Sequence, residues 1–322
     1  MNAFLEALLI AAVIVTVLMT VTAWALWFER KFAARMQSRL GPTMVGKAGL
    51  LQPVADLLKL LQKEDILAKH ADGLLFNLAP VLAAGAAIGA AAVVPFGPGI
   101  VGADLELGVL FLLAIGAVTV LPVFAAGWAS NNKFALLGGM RAIAQSVSYE
   151  VPLLLAALVP VILAGSMNVG EIVTYQSKHG WFLAWPFFLG IPAFVLFLLA
   201  MLAEANRIPF DIPEAESELV AGVTTEYTGM KFALFYMAEY VHTLVASAVA
   251  AALFLGGWDG PFAPGLHWMV AKTLALFVAV YWVRWTLLRF RSDQLMRIAW
   301  YFLVPTGVVL VAGAAVWAVW RG

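Results

Sequence analysis

Eight apolar runs alternate with polar connections along the chain, at roughly 4–26, 74–95, 106–127, 141–165, 182–203, 230–255, 267–288 and 298–319. Each is close to the about 20 residues a helix needs to cross about 30 Å of hydrocarbon. The runs are continuous, without in–out alternation, and a segment in lipid must satisfy its own backbone hydrogen bonds. They therefore predict helices and not barrel strands. In the first connection the period changes. Leu50, Leu51, Val54, Leu57, Leu58 and Leu61 recur at helical spacing opposite Gln52, Asp56, Lys59 and the stretch 62–65. This predicts an amphipathic helix lying on the membrane surface or beneath a partner. The fold class is an all-α polytopic membrane protein of about eight transmembrane helices, in a single integral membrane domain over residues 1–322. The outer connections, such as VVPFGPGIVG and GGWDGPFAPG, read as short loops.

Composition identifies the solvent. The chain is 63% hydrophobic and only 12% charged, with a mean hydropathy of +0.94, whereas soluble domains carry about a quarter charged residues. Charge then orients it. Of the 19 Lys and Arg residues, 16 fall on one side if successive connections alternate between faces; Lys178 and Arg321 fall on the other, and Lys272 lies inside the seventh run. The positive-inside rule makes the charged side cytoplasmic and puts both termini outside. The first run passes directly into WFERKFAARM with no small-residue cleavage site, so it reads as a retained helix.

There is no Cys, and of the four His residues only His242 lies well inside a run. Thiolate ligands for an iron–sulfur cluster and a bis-His haem site within the membrane are thereby excluded for this chain. No phosphate-binding loop, dinucleotide fingerprint or His-x-x-x-His spacing occurs. The chain is expected to bind no cofactor or metal of its own, to have no nucleic-acid partner, and to depend on a partner or diffusible ligand for any electron carrier.

One connection departs from this economy of charge. AEANRIPFDIPEAESELVAGVTTEY, residues 203–227, holds Glu204, Asp211, Glu214, Glu216, Glu218 and Glu226 against a single Arg207. Its prolines make the start extended, and the interleaved Ile208, Phe210, Ile212, Leu219 and Val220 imply packing. Crowding of Glu214, Glu216 and Glu218 is expected to raise some of their pKa values by like-charge repulsion. Deeper still, Glu239 falls about ten residues into the sixth run, ~15 Å into the bilayer. A charge there costs at least ~3 kcal/mol, so it must be paired, protonated or face a polar interior. His242 is three residues on, and Glu150 lies in the fourth run just before Pro152. These carboxylates read as steps for protons between the acidic loop and the bundle centre.

The segments ANRIPFDIPEAESELVAGVTTEYTGMKFALFYMAEY, FERKFAARMQSRLGPTMVGKAGLLQPVADLLKLLQKED, GWASNNKFALLGGMRAIAQSVSYEV and LRFRSDQLMRIAW resemble the H-subunit family of proton-translocating NADH:quinone oxidoreductase, respiratory complex I, known in mitochondria as subunit 1. The resemblance covers essentially the whole chain. It implies a membrane subunit that forms the membrane-side part of the quinone chamber and starts the charged proton-coupling path. Quinone is then the substrate, and FMN and iron–sulfur clusters belong to partner subunits. The implied partners are the hydrophilic quinone-reducing arm, small membrane subunits and the lipid bilayer. The implied location is the bacterial inner membrane, or the mitochondrial inner membrane for an organellar protein.

By motif, Arg39, Arg284, Arg289, Arg291 and Asp293 are implied near where quinone enters. Glu29, Arg141, Glu150, Glu204, Arg207, Asp211, Glu214, Glu216, Glu218, Glu226 and Glu239 are implied in proton coupling, with Arg30 and Lys133 in the same segments. Ala215, Leu288, Thr43 and Met44 depart from the family's usual residues while the charged positions are intact. Across Pro209, Arg207 is expected to have a carboxylate partner, with Asp211 and Glu204 as candidates, and the loop's apolar residues are expected to pack under the hydrophilic arm. Two alternatives stand beside this reading: the membrane anchor of an energy-converting hydrogenase, and a stand-alone cation/proton transporter.

Overall fold

The computed structural model describes residues 3–184, 186–214 and 216–321. Its helices are α1 (Ala3–Met36), α2 (Gln52–Gln62), α3 (Gly73–Ala91), α4 (Gly108–Val118), α5 (Val120–Ala129), α6 (Lys133–Ala164), α7 (Val169–His179), α8 (Phe187–Glu204), α9 (Glu216–Leu219), α10 (Gly229–Phe254), α11 (Leu266–Thr286), α12 (Ser292–Ile298) and α13 (Val304–Arg321). Among the described residues, seven helical stretches are long and apolar enough to cross a membrane: α1, α3, α4–α5, α6, α10, α11 and α12–α13. The remaining predicted run becomes α8, a shorter apolar helix.

The eight runs thus all reappear as helix, with differences at their edges. α1 continues ten residues beyond its apolar run and α6 begins eight residues before its own, because a helix keeps its backbone bonds after leaving lipid. Those extra turns carry Glu29, Arg30 and Lys133. α6 also runs on through Pro152 and Pro160. The connection over 165–186 is not a short loop: it folds into α7, started by Asn168, whose side chain accepts from the Gly170 and Glu171 amides at 2.8 and 3.2 Å. Val169, Ile172, Val173 and Gln176 fix one face of α7 in the core.

α10 is the axis of the bundle. In its membrane-crossing stretch 83% of residues are buried, against 11% in α1 and 17% in α12–α13. Lipid tails remove the hydrophobic drive between helices, so close packing must hold them together, and small side chains permit it. Ala83, Ala84, Ala87 and Ala90 of α3 and Ala246, Ala248, Ala250 and Ala251 of α10 are buried in the same core.

Contacts collect the charged connections at one end of the bundle. Lys231 pairs with Asp65 at 2.8 Å, Thr228 bonds the backbone of Glu64 and Ile66, and Arg284 at the end of α11 meets Glu29 near the end of α1. At the opposite end Arg321, closing α13, donates to the Tyr175 hydroxyl of α7 at 3.0 Å. The predicted amphipathic helix is α2. Its Asp56 turns to Arg30 of α1, while Leu51, Val54, Leu57, Leu58 and Leu61 are exposed.

Candidate functional site

The acidic loop is folded onto the charged end of the bundle. α8 stops at Glu204, and the chain turns so that the Phe210 amide donates to the Arg207 carbonyl at 2.7 Å. Gln145 of α6 holds this turn, its amide donating to the carbonyls of Ala203 and Phe210 at 2.7 and 2.9 Å and to Asn206 Oδ1 at 3.1 Å. Gly138 of α6 lets the loop come close, since a Cβ there would sit 2.8 Å from the Pro213 carbonyl oxygen. Phe210 stacks on Phe290 with ring centres 5.7 Å apart. Phe210, Ile212 and Leu219 are buried within this chain and only Val220 is widely exposed. The loop's apolar residues therefore pack chiefly on their own bundle.

Beneath the loop lies Arg207, 1% exposed. It has the carboxylate partner expected of it, and among the described residues the ion pair is with Glu239 of α10, at 3.1 Å, in place of the nearer candidates in sequence. The turn before Pro209 points the guanidinium inward, across the bundle axis. There it lies over the ring of Tyr240, 4.4 Å from the centroid, with Tyr281 on a further side at 5.6 Å. A planar, weakly hydrated cation suits such aromatic faces, and a buried one is tolerable only when paired. The Tyr240 hydroxyl donates to Glu29, which also pairs with Arg284. Glu29 and Arg284, and Arg207 and Glu239, thus bring two ion pairs from α1, α11, the loop and α10 into one group.

A second set adjoins it. Glu204 closes α8 with its carboxylate 3.4 Å from His242 Nε2 of α10. Glu204, Glu214, Glu239, His242, Tyr149 and Asn206 face one cavity of about 100 Å³, room for several waters. Burial pushes the Glu214 carboxyl up to about 8, with Glu239 and Asp211 adding to the rise. Like-charge repulsion contributes as expected, with Glu239 and Asp211 as its sources here, but burial is the larger cause. Glu218 moves the opposite way: the hydrogen bond from Arg141, at 2.6 Å, holds its carboxyl below the usual range, and Arg289 and Arg291 act in the same sense. Glu226 accepts from Asn132 at 2.6 Å. Glu150 accepts from the Ser146 hydroxyl one turn earlier. The side chain of Glu216 lies outside the described residues.

The residues expected near the quinone divide. Arg284 is turned inward to Glu29. Arg39 is exposed and bonds Gln37 at 2.8 Å, and Arg291 and Asp293 form an exposed pair at 3.6 Å. Arg284 is therefore where this set touches the buried charge group. Sequence reasoning missed Gln145, Tyr149, Tyr240 and Tyr281. Gln145 and Tyr149 had a signal, as polar positions within the long apolar α6; the tyrosines had none apart from their position near Glu239 and Arg284.

A family profile described as NADH dehydrogenase matches residues 8–315. The chain is 48% identical to the NADH-quinone oxidoreductase H subunit of Dehalococcoides mccartyi, over 92% of this chain and 81% of that one. It is 43% identical to the NADH-quinone oxidoreductase H subunit numbered 2 of Syntrophobacter fumaroxidans, covering 96% and 95% of the two. It is 46% identical to the NADH-quinone oxidoreductase H subunit of Burkholderia vietnamiensis, covering 96% and 90%. The chain belongs to this NADH dehydrogenase family, alongside relatives named as the H subunits of NADH-quinone oxidoreductases.

Proposed function

We propose that the chain is the membrane subunit of an NADH:quinone oxidoreductase that forms the membrane-side part of the quinone chamber and the start of the charged path coupling quinone reduction to proton movement. The relatives' names support membership of the complex. The observation that carries the coupling role is the buried Arg207–Glu239 pair beneath the acidic loop, beside a cavity that Glu204 and Glu214 also face. A carboxylate that deep is tolerable only beside charge or water, and both are at hand. When quinone reduction changes charge above the loop, Arg284 and Glu29 pass the change to Arg207, and the balance between Glu239 protonated and ionised shifts. Arg39, Arg289, Arg291 and Asp293 flank the quinone's way in, and the complex sits in the inner membrane with its charged end in the cytoplasm. Electrons arrive from FMN and iron–sulfur clusters on partner subunits.

The test is gentle purification of the native complex from its own membranes, with mass spectrometry of its subunits and spectroscopy of its cofactors. Co-purification with flavin and iron–sulfur subunits, and quinone-dependent NADH oxidation, is the expected result. Isolation alone, or with a hydrogenase, overturns the proposal.

A further inference from the structure

Below the cavity shared by Glu204, Glu214 and Glu239 lies a second, of about 40 Å³, bounded by α3, α4, α6, α8 and α10. It follows α10 from His242 to Leu253, about 16 Å toward the opposite face of the bundle. Three residues line both cavities: Thr119, Glu204 and His242. All three are polar, whereas the rest of the second cavity is apolar side chain and the bare backbone of Gly116. Thr119 is the single residue between α4 and α5, and its hydroxyl donates to the Gly116 carbonyl at 2.6 Å. Gly116 leaves the space the Glu204 carboxylate occupies, for a Cβ there would collide with Glu204 Oε1.

We propose that His242 is the station after Glu204 on the proton path, taking a proton through the wall between these cavities and releasing it into the second. The inference rests on the proton-coupling reading above. A histidine placed here for packing alone would be tied by hydrogen bonds, because a buried polar group without a partner is destabilising. Among the described residues Nδ1 of His242 has no hydrogen-bond partner, and Nε2 meets Glu204 Oε1 in a long contact of 3.4 Å. A small shift turns that contact into a bond. The Glu204 carboxyl then gives its proton to Nε2, leaving carboxylate and imidazolium, and a water entering the second cavity takes the Nδ1 proton as hydronium, which returns the ring to neutrality. No electron moves. The other titratable groups facing this cavity wall are Glu239 on His242's own helix, Glu214 from the loop and Tyr149 from α6, while α3 presents alanines. Glu204 is the carboxylate in contact with the ring. The apolar lining below gives an arriving proton no other protein group before the far end, so passage depends on the ring and on water admitted past it.

In the assembled complex in its own membranes, His242→Gln and Glu204→Gln are compared by subunit assembly, NADH-to-ferricyanide electron flow, which bypasses quinone, and protons pumped per NADH oxidised. His242→Gln should assemble, keep the bypass flow and lose about tenfold or more in pumping, the scale of a missing proton-transfer group. The exchange Glu204→His with His242→Glu, which keeps both groups at the wall, should restore roughly a third of the pumping or more; both results are required. Where His242→Gln does not assemble, His242→Asn is measured in its place. Wild-type pumping in the assembled His242 variant, with pumping lost in Glu204→Gln, overturns the His242 station and leaves the broader reading standing. Wild-type pumping in Glu204→Gln overturns that broader reading at this residue as well.

Discussion

Among the described residues Arg207 and Lys272 are the most deeply buried cations, one near each end of the bundle, and they are satisfied in different ways. At the end opposite the acidic loop, Lys272 of α11 donates to the carbonyls of Leu255 at 2.6 Å, Gly257 at 3.0 Å and Asp259, and lies 4.1 Å from the centre of the Trp181 ring. Three ammonium donors meet three backbone acceptors, one at the end of α10 and two in the loop that follows, so the lysine ties this turn to α11. At the charged end Arg207 is held by a carboxylate, aromatic faces and a loop. Its partner can take up a proton; a backbone carbonyl cannot. The same problem of a buried positive charge therefore yields a fixed staple at one end and a titratable pair at the other.

The largest expected effect strikes the staple. Lys272→Met orphans the three carbonyls and should destabilise the protein by about 3 kcal/mol. Assembly and thermal stability should fall together, with ferricyanide and quinone activities lost in equal proportion. Arg207→Lys should do the reverse: the charge stays but the planar fork and its ring contacts are lost, so quinone-linked NADH oxidation should fall about tenfold, equivalent to about 1.4 kcal/mol, while ferricyanide reduction persists. Equal loss of both activities in Arg207→Lys would erase the contrast between the two ends.

A smaller effect concerns the loop's own titration. The Glu214 carboxyl sits at about 8 in the folded protein against an ordinary 4.5. The folded state thus holds this proton more tightly than the unfolded chain, so the stability it contributes is complete below 4.5 and is lost as pH rises to 8. Glu214→Gln should remove that decline from the pH dependence of thermal stability, and should flatten any change in quinone-linked activity centred near pH 8. A wild-type pH profile in this variant would show that Glu214 does not titrate there. The smallest effect belongs to Arg291→Ala. Its pair with Asp293 is exposed and worth about 0–1 kcal/mol, so assembly should be unchanged and quinone-linked activity should stay within about twofold.

Much of this was legible in the sequence, and what was hidden has a common cause. Runs of apolar residues locate helices because lipid leaves the backbone no alternative, and a glutamate ten residues into such a run announces its depth. Partner choice was not legible. Arg207 and Glu239 are far apart in sequence and meet only because α8 and α10 pack side by side at one end, so proximity in sequence, which singles out Asp211 and Glu204, does not find Glu239. The direction of Glu218 was missed for the same reason: its controlling group, Arg141, comes from α6. α7 was hidden because it is too short and too polar to register as a span, and it is held by tertiary contacts such as Gln176 donating to the Ala252 carbonyl at 2.8 Å.

If the carboxyl of Glu239 changes protonation as quinone reduction is coupled to proton movement, proton pumping by the assembled Glu239→Gln complex must report it. Gln keeps the size and hydrogen bonding but cannot carry the proton. Pumping and quinone-linked NADH oxidation should fall about tenfold or more while assembly and NADH-to-ferricyanide flow persist, and Glu239→Asp should retain part of both. Wild-type pumping in the Gln variant would contradict the account, leaving Glu239 as a packing partner for Arg207.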